Sequence, residues 1–373
     1  MAILTRDKPT VTIIGGGLAG LICSIVLSRN GFPVILIEKK QYPFHRVCGE
    51  YISNEVVSFL KRIDIDLYQL NPSNITQLAI SSVSGQIFKT NLDLGGVGLS
   101  RFVLDDYLYR TAQGLGVEVV LGLKATDITF HGNGFDVLLE DSRVITSNFV
   151  ICSHGKRSNL DRSRSFFSRR SPFIGVKYHI RTDFPANLVQ LDNFEKGYCG
   201  TVKIEDEKYC LCYLSHNNNI KNYGNLKEME KAVLFKNPIL KSLFESSEFL
   251  YEKPEVINEI SFERKTLVEN HILFCGDAAG MISPLCGNGM AMAIHSAKIL
   301  CDTLNENYLQ ERAVIEQIYR RKWQHHFANR LAIGRLTQKL FGGKVTSELA
   351  IRSLRTIKPL SNFIIRRTHG APF

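Results

Sequence analysis

Apolar and polar positions alternate with a period of two in some stretches of the chain and with a helical period in others. The earliest change of period is the most informative. Val11, Thr12, Ile13 and Ile14 form a short β-branched run, and Gly15, Gly17 and Gly20 follow at GxGxxG spacing. An apolar stretch from Leu21 to Leu27 comes next, and Val34 to Ile37 make a second strand that ends in Glu38. Strand, glycine turn, helix and strand in this order predict a βαβ unit. Such a turn brings a pyrophosphate close to the backbone, so the free amides at the helix start, with Leu18 and Ala19 in the first turn, face the phosphates. Glu38, followed by Lys39, stands where an acid accepts hydrogen bonds from an adenosine ribose. The stretch is therefore read as a dinucleotide seat. Arg6 and Lys8 before an apolar run also suggest a leader, but glycines interrupt the run and no small-residue cleavage pattern follows.

Further along, Tyr42 to Glu50 reads as a loop leading into an amphipathic helix through Leu60. A polar loop leaving the C-terminal end of a strand lies where α/β sheets bind ligands. In it, Arg46 is a candidate phosphate contact, Gly49 a point of close backbone approach and Cys48 a candidate reactive thiol. Cys48 has a second reading as a buried, unreactive thiol. Ile75–Ser82 and Gln86–Leu92 flank a Ser84-Gly85 turn and predict a hairpin. Ser100 and Arg101 open a helix over Val103–Leu115; Arg101 either reaches a phosphate or pairs with Asp105 four residues on. Short β runs from Val117 to Ile151 predict a small meander, with Phe149–Cys152 returning to the central sheet. Phe173–Arg181, Tyr198–Glu205 and Tyr209–His216 predict an antiparallel sheet. Cys210 and Cys212, two apart on one strand, are read as packing residues.

Near the end, Ile272–Cys275 is a strand that runs into Gly276-Asp277-Ala278-Ala279-Gly280. Pro284, Gly287, Asn288 and Gly289 follow, and then a helix over Met290–Leu304. This repeats the logic of the first turn with a different target. Asp277 can accept hydrogen bonds from ribityl hydroxyls, and the Gly289 and Met290 amides can stabilise negative charge on a flavin pyrimidine. The last predicted helix carries Tyr319, Trp323, Phe327 and Leu331 as one stripe, expected to cap the second sheet.

Composition narrows the class without changing the fold. The 373 residues are 44% hydrophobic and 22% charged, an ordinary globular balance. Nine cysteines without CxxC pairs speak against a disulfide framework, a zinc ribbon or an iron–sulfur cluster and favour a reducing compartment. The net charge of +10 is concentrated from Arg320 onwards, where twelve Lys or Arg face the single acid Glu348. No nucleic-acid-binding pattern accompanies this charge. It is read either as a solvated helical face or as a surface for an anionic membrane or an acidic carrier protein, with Phe363 to Arg367 as its most basic apolar segment.

With both ends of a flavin nucleotide accounted for, the sequence resembles the FAD-dependent superfamily of p-hydroxybenzoate hydroxylase-like monooxygenases and geranylgeranyl reductases. The resemblance rests on Gly15-x-Gly17-x-x-Gly20 with Glu38, on Ser100-Arg101 with Asp105 and Leu108, and on Gly276-Asp277-Ala278-Ala279 with Pro284 and Gly287-x-Gly289. Cys48-Gly49 resembles the flavin-side loop of the reductase branch, which implies that Cys48, Gly49 and Glu50 lie beside the reacting ring. The resemblance implies an α/β fold with a three-layer, Rossmann-like FAD-binding domain at 1–72, 95–170 and 265–305. It further implies an interleaved antiparallel or mixed β-sheet substrate domain at 73–94 and 171–264, and a basic helical cap at 306–373. FAD is the implied cofactor. NAD(P)H is implied only as a transient reductant, because His154-Gly155 stands where the hydroxylases carry Asp-Gly. The expected activity is insertion of one oxygen atom of O₂ into an apolar, aromatic, carrier-bound or lipid-bound substrate. The alternatives are reduction of isoprenoid or polyene double bonds, and a non-enzymatic lipid escort on the same fold. The expected location is cytoplasmic, with peripheral membrane contact through the tail.

Overall fold

The structure is a computed structural model that describes residues 8–281, 287–340, 342–356 and 370–373. Strand β1 (Val11–Ile14) is buried along its whole length and lies between β2 (Val34–Glu38) and β10 (Phe149–Cys152), parallel to both. Helix α1 (Leu18–Arg29) joins β1 to β2 and is buried from Leu18 to Leu27, because helices cover it as well as the sheet. After the loop comes β3 (Tyr51–Ser53), where a helix is expected from the sequence, and only then α2 (Val57–Arg62). Tyr51-Ile52-Ser53 goes extended because Gly98, Val97 and Gly96 of a later strand lie alongside and take its hydrogen bonds.

The predicted hairpin is β4 (Ser73–Ser81) and β5 (Ile87–Gly98). Ser100 accepts the Val103 amide to cap α3 (Arg101–Gly114). Strand β6 (Glu118–Leu121) joins β2, while β7 (Ala125–His131), β8 (Gly134–Leu139) and β9 (Val144–Ser147) form the meander. A second region follows with β11 (Phe173–Arg181), β12 (Leu188–Phe194), β13 (Gly197–Lys203) and β14 (Tyr209–His216). Helices α4 (Asn217–Tyr223), α5 (Leu226–Val233) and α6 (Pro238–Ser246) come next, then the short strands β15 (Glu248–Phe249) and β16 (Glu255–Ile257). The chain returns through β17 (Val268–Glu269) and β18 (Ile272–Phe274) to α7 (Gly289–Asn307), α8 (Arg312–Leu340) and α9 (Lys344–Thr356).

Two large sheets result. The first has six strands in the order β17-β18-β10-β1-β2-β6, parallel apart from β17. The second has nine strands in the order β15-β11-β14-β13-β12-β4-β5-β3, with β16 on β11. One face of the second sheet carries Val176, Tyr178, Leu211 and Tyr213, which pack with Met229, Val233 and Leu240 of α5 and α6. Its inner face carries Leu191, Tyr198, Val202 and Leu214, packed with Tyr51 and Ile260.

The C-terminal stripe departs from expectation. Tyr319, Trp323, Phe327 and Leu331 join the core of the dinucleotide-binding half instead of capping the second sheet. The turn after α7 folds α8 back onto it, so the stripe meets α7 and β18; Tyr319 donates to the Phe274 carbonyl at 2.5 Å. Contact with the second sheet falls instead to α9, whose Ile351 and Leu354 pack on Phe88.

A buried polar knot ties this sheet together. Asp192 accepts from Ser81 Oγ at 2.6 Å and from Gln190 Nε2 at 2.9 Å, while Asn237 donates to Ser81 and to the Asn193 carbonyl. Burial pushes the Asp192 carboxyl up to about 6, against the partial relief of its hydrogen bonds. A folded-state value raised above the unfolded one means that the proton favours the fold. Stability therefore rises as pH falls from about 6 towards about 4, and at pH 8 the buried carboxylate costs about 2–3 kcal/mol. Asp192→Asn should melt several degrees higher than the parent at pH 8 and close to it at pH 4.5. Thermal melts at the two pH values check this, and an equal difference at both would exclude the assignment.

Candidate active site

Both predicted turns lie at the C-terminal ends of parallel strands of the first sheet, β1 and β18, with β10 between them. Gly15 (φ +103°) turns the chain out of β1, and α1 begins without a side-chain cap, so the amides of its first turn remain available to an anion. A Cβ on Gly20 would overlap the Gly15 carbonyl oxygen and come 2.6 Å from Ser153 Oγ, which fixes how closely α1 crosses β1. The second turn is adjacent, since a Cβ on Gly276 would stand 2.7 Å from that of Ala19.

Glu38 ends β2 and is buried; its Oε2 accepts the Gly16 amide at 2.9 Å and its Oε1 the Lys40 amide at 3.1 Å. Arg46 spans the same place, donating to Glu38, to the Gly16 carbonyl at 3.0 Å and to Asp105 at 3.0 Å. Arg101 holds Asp105 through two bonds of 2.7 Å, the pairing the four-residue spacing allows, and still lies 3.8 Å from where a Gly17 side chain would begin. Asp105, one carboxylate between two arginines, thus aims both guanidinium groups at the phosphate turn. Lys39 is exposed. Cys48 is half-buried and burial pushes its thiol up, in keeping with the unreactive reading; Gly49 is exposed, and Glu50 turns inward.

The second turn is held from behind by groups that sequence spacing did not single out. Lys265 donates to the Asp277 carbonyl at 2.7 Å and the Lys156 carbonyl at 2.6 Å, and burial brings it down to about 8. Arg164 donates to the Ala278 carbonyl at 2.9 Å and pairs with buried Asp161 at 2.7 Å. The Asp277 carboxylate accepts no hydrogen bond among the described residues; burial raises its pKa, while Lys265 and Arg101 lower it. Gly287, Asn288, Gly289 and Met290 lead into α7, and Asn288 donates to Glu55 at 3.3 Å. Pro284 lies outside the described residues. Gly276, Asp277, Gly280, Gly289, Ser296 and Trp323 line a narrow cleft. His154 packs behind Gly15 with both ring nitrogens buried and without a hydrogen-bond partner, although Asp161 Oδ1 lies 3.5 Å from its Nε2. Burial depresses it to about 4, so it is neutral at pH 7.

The arrangement fits a flavin dinucleotide. It offers uncapped helix amides, a ribose-side acid, an acid with unspent acceptors for a polyol, and a second helix start. Residues 8–166 match the FAD binding domain family. Digeranylgeranylglycerophospholipid reductase 1 of Methanococcoides burtonii is 21% identical, covering 90% of this chain and 84% of its own length. Conditioned medium factor receptor 1 of Dictyostelium discoideum is also 21% identical, over 89% of this chain and 70% of its own. Among solved structures, the flavin-dependent brominase Bmp2 superposes with a TM-score of 0.78 at 17% identity, covering 95% of this chain and 92% of that one, a likeness of fold. With two flavin-nucleotide turns on such a fold, this chain is an FAD-dependent oxidoreductase and belongs to the FAD-dependent monooxygenase and geranylgeranyl reductase superfamily.

Proposed function

We propose that the enzyme reduces double bonds of an apolar, isoprenoid-like substrate. In this reading the first-turn amides at Gly17, Leu18 and Ala19 take the pyrophosphate, Glu38 orients the ribose, Asp277 receives ribityl hydroxyls, and the start of α7 at Gly289 and Met290 faces the pyrimidine. Bound flavin would supply hydride. The carrying observation is the apolar inner face of the nine-stranded sheet, where Leu191, Tyr198, Leu214 and Ile260 gather with Tyr51, three residues beyond Cys48, and with Met281, one residue beyond Gly280 of the second turn. A surface of this kind suits a hydrocarbon chain and excludes water. The reductase named among the relatives supports the same class. Oxygen insertion is the competing reading, because the same face would serve an aromatic substrate.

The substrate's delivery forms part of the proposal. Val345 and Leu349 are exposed one turn apart on α9, beside Lys344, Arg352 and Arg355, a combination that suits an anionic lipid surface better than an acidic carrier protein. Among the described residues no helix is long and apolar enough to cross a membrane. The basic apolar segment Phe363–Arg367 lies outside the described residues.

The FAD-loaded chain, reduced with dithionite under strict anaerobiosis, should add two hydrogens per double bond to a polyprenyl lipid. It should do so faster in anionic than in zwitterionic vesicles, with the difference removed by high salt. Product that forms only with O₂ and carries its labelled oxygen would establish the competing reading.

A further inference from the structure

Glu50 is fully buried, with a positive φ of 54°, and its carboxylate is tied to two elements, β11 and α3. Its Oε1 accepts from Lys177 Nζ at 2.8 Å and from the Arg101 amide at 3.0 Å, and its Oε2 lies 2.6 Å from His179 Nε2. Lys177 and His179 alternate with Val176 and Tyr178 on β11, so both point to the inner face, where Cys210 and Cys212 pair with them across β14. Glu50, His179 and Cys210 bring ligand-type atoms within 4.8 Å of one another, yet the Lys177 ammonium already fills the cation position beside Glu50.

A buried carboxylate and a buried ammonium neutralise each other, so charge balance alone does not call for His179. Its Nδ1 is buried and has no partner among the described residues. The His179 ring meets the edge of His45 at 5.3 Å and lies 5.9 Å from Tyr251, which is 44% exposed. His45 is half-buried, stacks on Phe102 at 4.6 Å, and also has an unpartnered Nδ1. Titratable groups therefore run in unbroken contact from the Tyr251 surface to the inner face behind the Cys48–Gly49 loop.

We propose that His45, His179 and Glu50 carry protons from solvent to Lys177, and that Lys177 donates the proton that accompanies hydride transfer to the substrate. The proposal rests on the reductase reading. One proton leaves Lys177 Nζ for the substrate carbon that does not receive hydride. His179, charged from solvent past His45, passes a proton through the Glu50 carboxyl back to Lys177, so one proton enters for each one delivered and no electrons move along the line. The order of events has a physical cause. While Glu50 is ionised it raises the Lys177 pKa and holds the ammonium; once Glu50 is protonated, burial is the largest influence left on Lys177 and makes it a stronger acid. The charged and titratable groups around this centre are Glu50, Lys177, His179, His45, Arg101, Cys48, Cys210, Cys212, Tyr251 and, beside His45, Glu255.

The test uses FAD-loaded full-length protein and the variants Lys177→Met, His179→Gln and His45→Gln, all required to keep the bound-flavin spectrum. Single-turnover reduction of the polyprenyl probe should fall at least 100-fold in Lys177→Met. It should fall at least 10-fold in His179→Gln, with recovery on adding imidazole, while reduction of the flavin by dithionite stays unchanged. Wild-type rates and pH profiles in these variants would overturn the proposal. Independently of any substrate, the His179 ring N–H, followed by NMR in histidine-labelled protein, should exchange with solvent at least 10-fold more slowly in His45→Gln than in the parent. Equal exchange would overturn the line itself, whereas a parent enzyme that leaves the probe untouched would overturn the substrate reading.

Discussion

Gly20→Ala is expected to leave the protein colourless, with FAD retention reduced at least 100-fold, or about 3 kcal/mol. A methyl group there enters the space of the Gly15 carbonyl and Ser153 Oγ, so α1 must lift away from β1 and carry its first-turn amides out of register with the phosphates. The overlap involves backbone, which cannot swing aside as a side chain can, and crowding of this kind costs about 1–3 kcal/mol of stability in its own right. Gly114→Ala is the control. It lies at the end of α3 with open space around its Cβ and should be neutral or slightly stabilising. Flavin absorbance after reconstitution and dialysis, with melting curves for both variants, separates lost binding from lost folding. Retention of FAD by Gly20→Ala at the parent level would mean that the turn does not hold the pyrophosphate.

The second large effect is on stability. Glu50→Leu strands the buried Lys177 ammonium and should cost about 3–5 kcal/mol in urea unfolding at pH 7. Lys177 and His179 hold the Glu50 carboxyl at about 2, against the desolvation that opposes it. A depressed carboxylate stabilises the fold above its unfolded value near 4.5, and this contribution is lost as pH falls through about 2. The Lys177 pKa is raised, so its contribution is full below its unfolded value and is lost only as pH rises past the folded one. The pair therefore acts at full strength from about pH 5 to 10, and the deficit of Glu50→Leu should be flat across that window. Adding Lys177→Met removes the stranded charge and should restore most of the loss, since an apolar pair of similar volume replaces an ion pair at little net cost. A double variant as unstable as the single one would show that Glu50 acts through the Arg101 amide and the backbone of its loop, not through Lys177.

How much of this was legible in the sequence follows from how local each constraint is. The turn between β1 and α1 needs only neighbours: β-branched residues for the strand, glycines where carbonyl and helix meet, and an apolar helix to cover them. The second turn, from β18 to α7, was readable for the same reason, and Ser100 marked the start of α3 by its own cap. Glu50 was placed in a loop beside the reacting ring, but nothing near it in the chain indicates that its partners lie 127 and 129 residues away. One local signal existed, since Lys177 and His179 interrupt an apolar strand at positions i and i+2 and so share a face.

Other features were decided by packing alone. Asp105 became the anchor of both Arg46 and Arg101 because the loop after β2 folds over the start of α3. Tyr51-Ile52-Ser53 became a strand because β5 offered an edge. The stripe from Tyr319 to Leu331 has the same period whichever core it enters, and the turn after α7 directed it to the flavin side. Helical and strand period, glycine spacing and capping residues were fixed by the sequence through steric and hydrogen-bonding preferences that act over a few residues. Which charged side chain meets which, and which core an apolar stripe joins, depended on the tertiary structure, because those energies arise only when distant segments exclude water together.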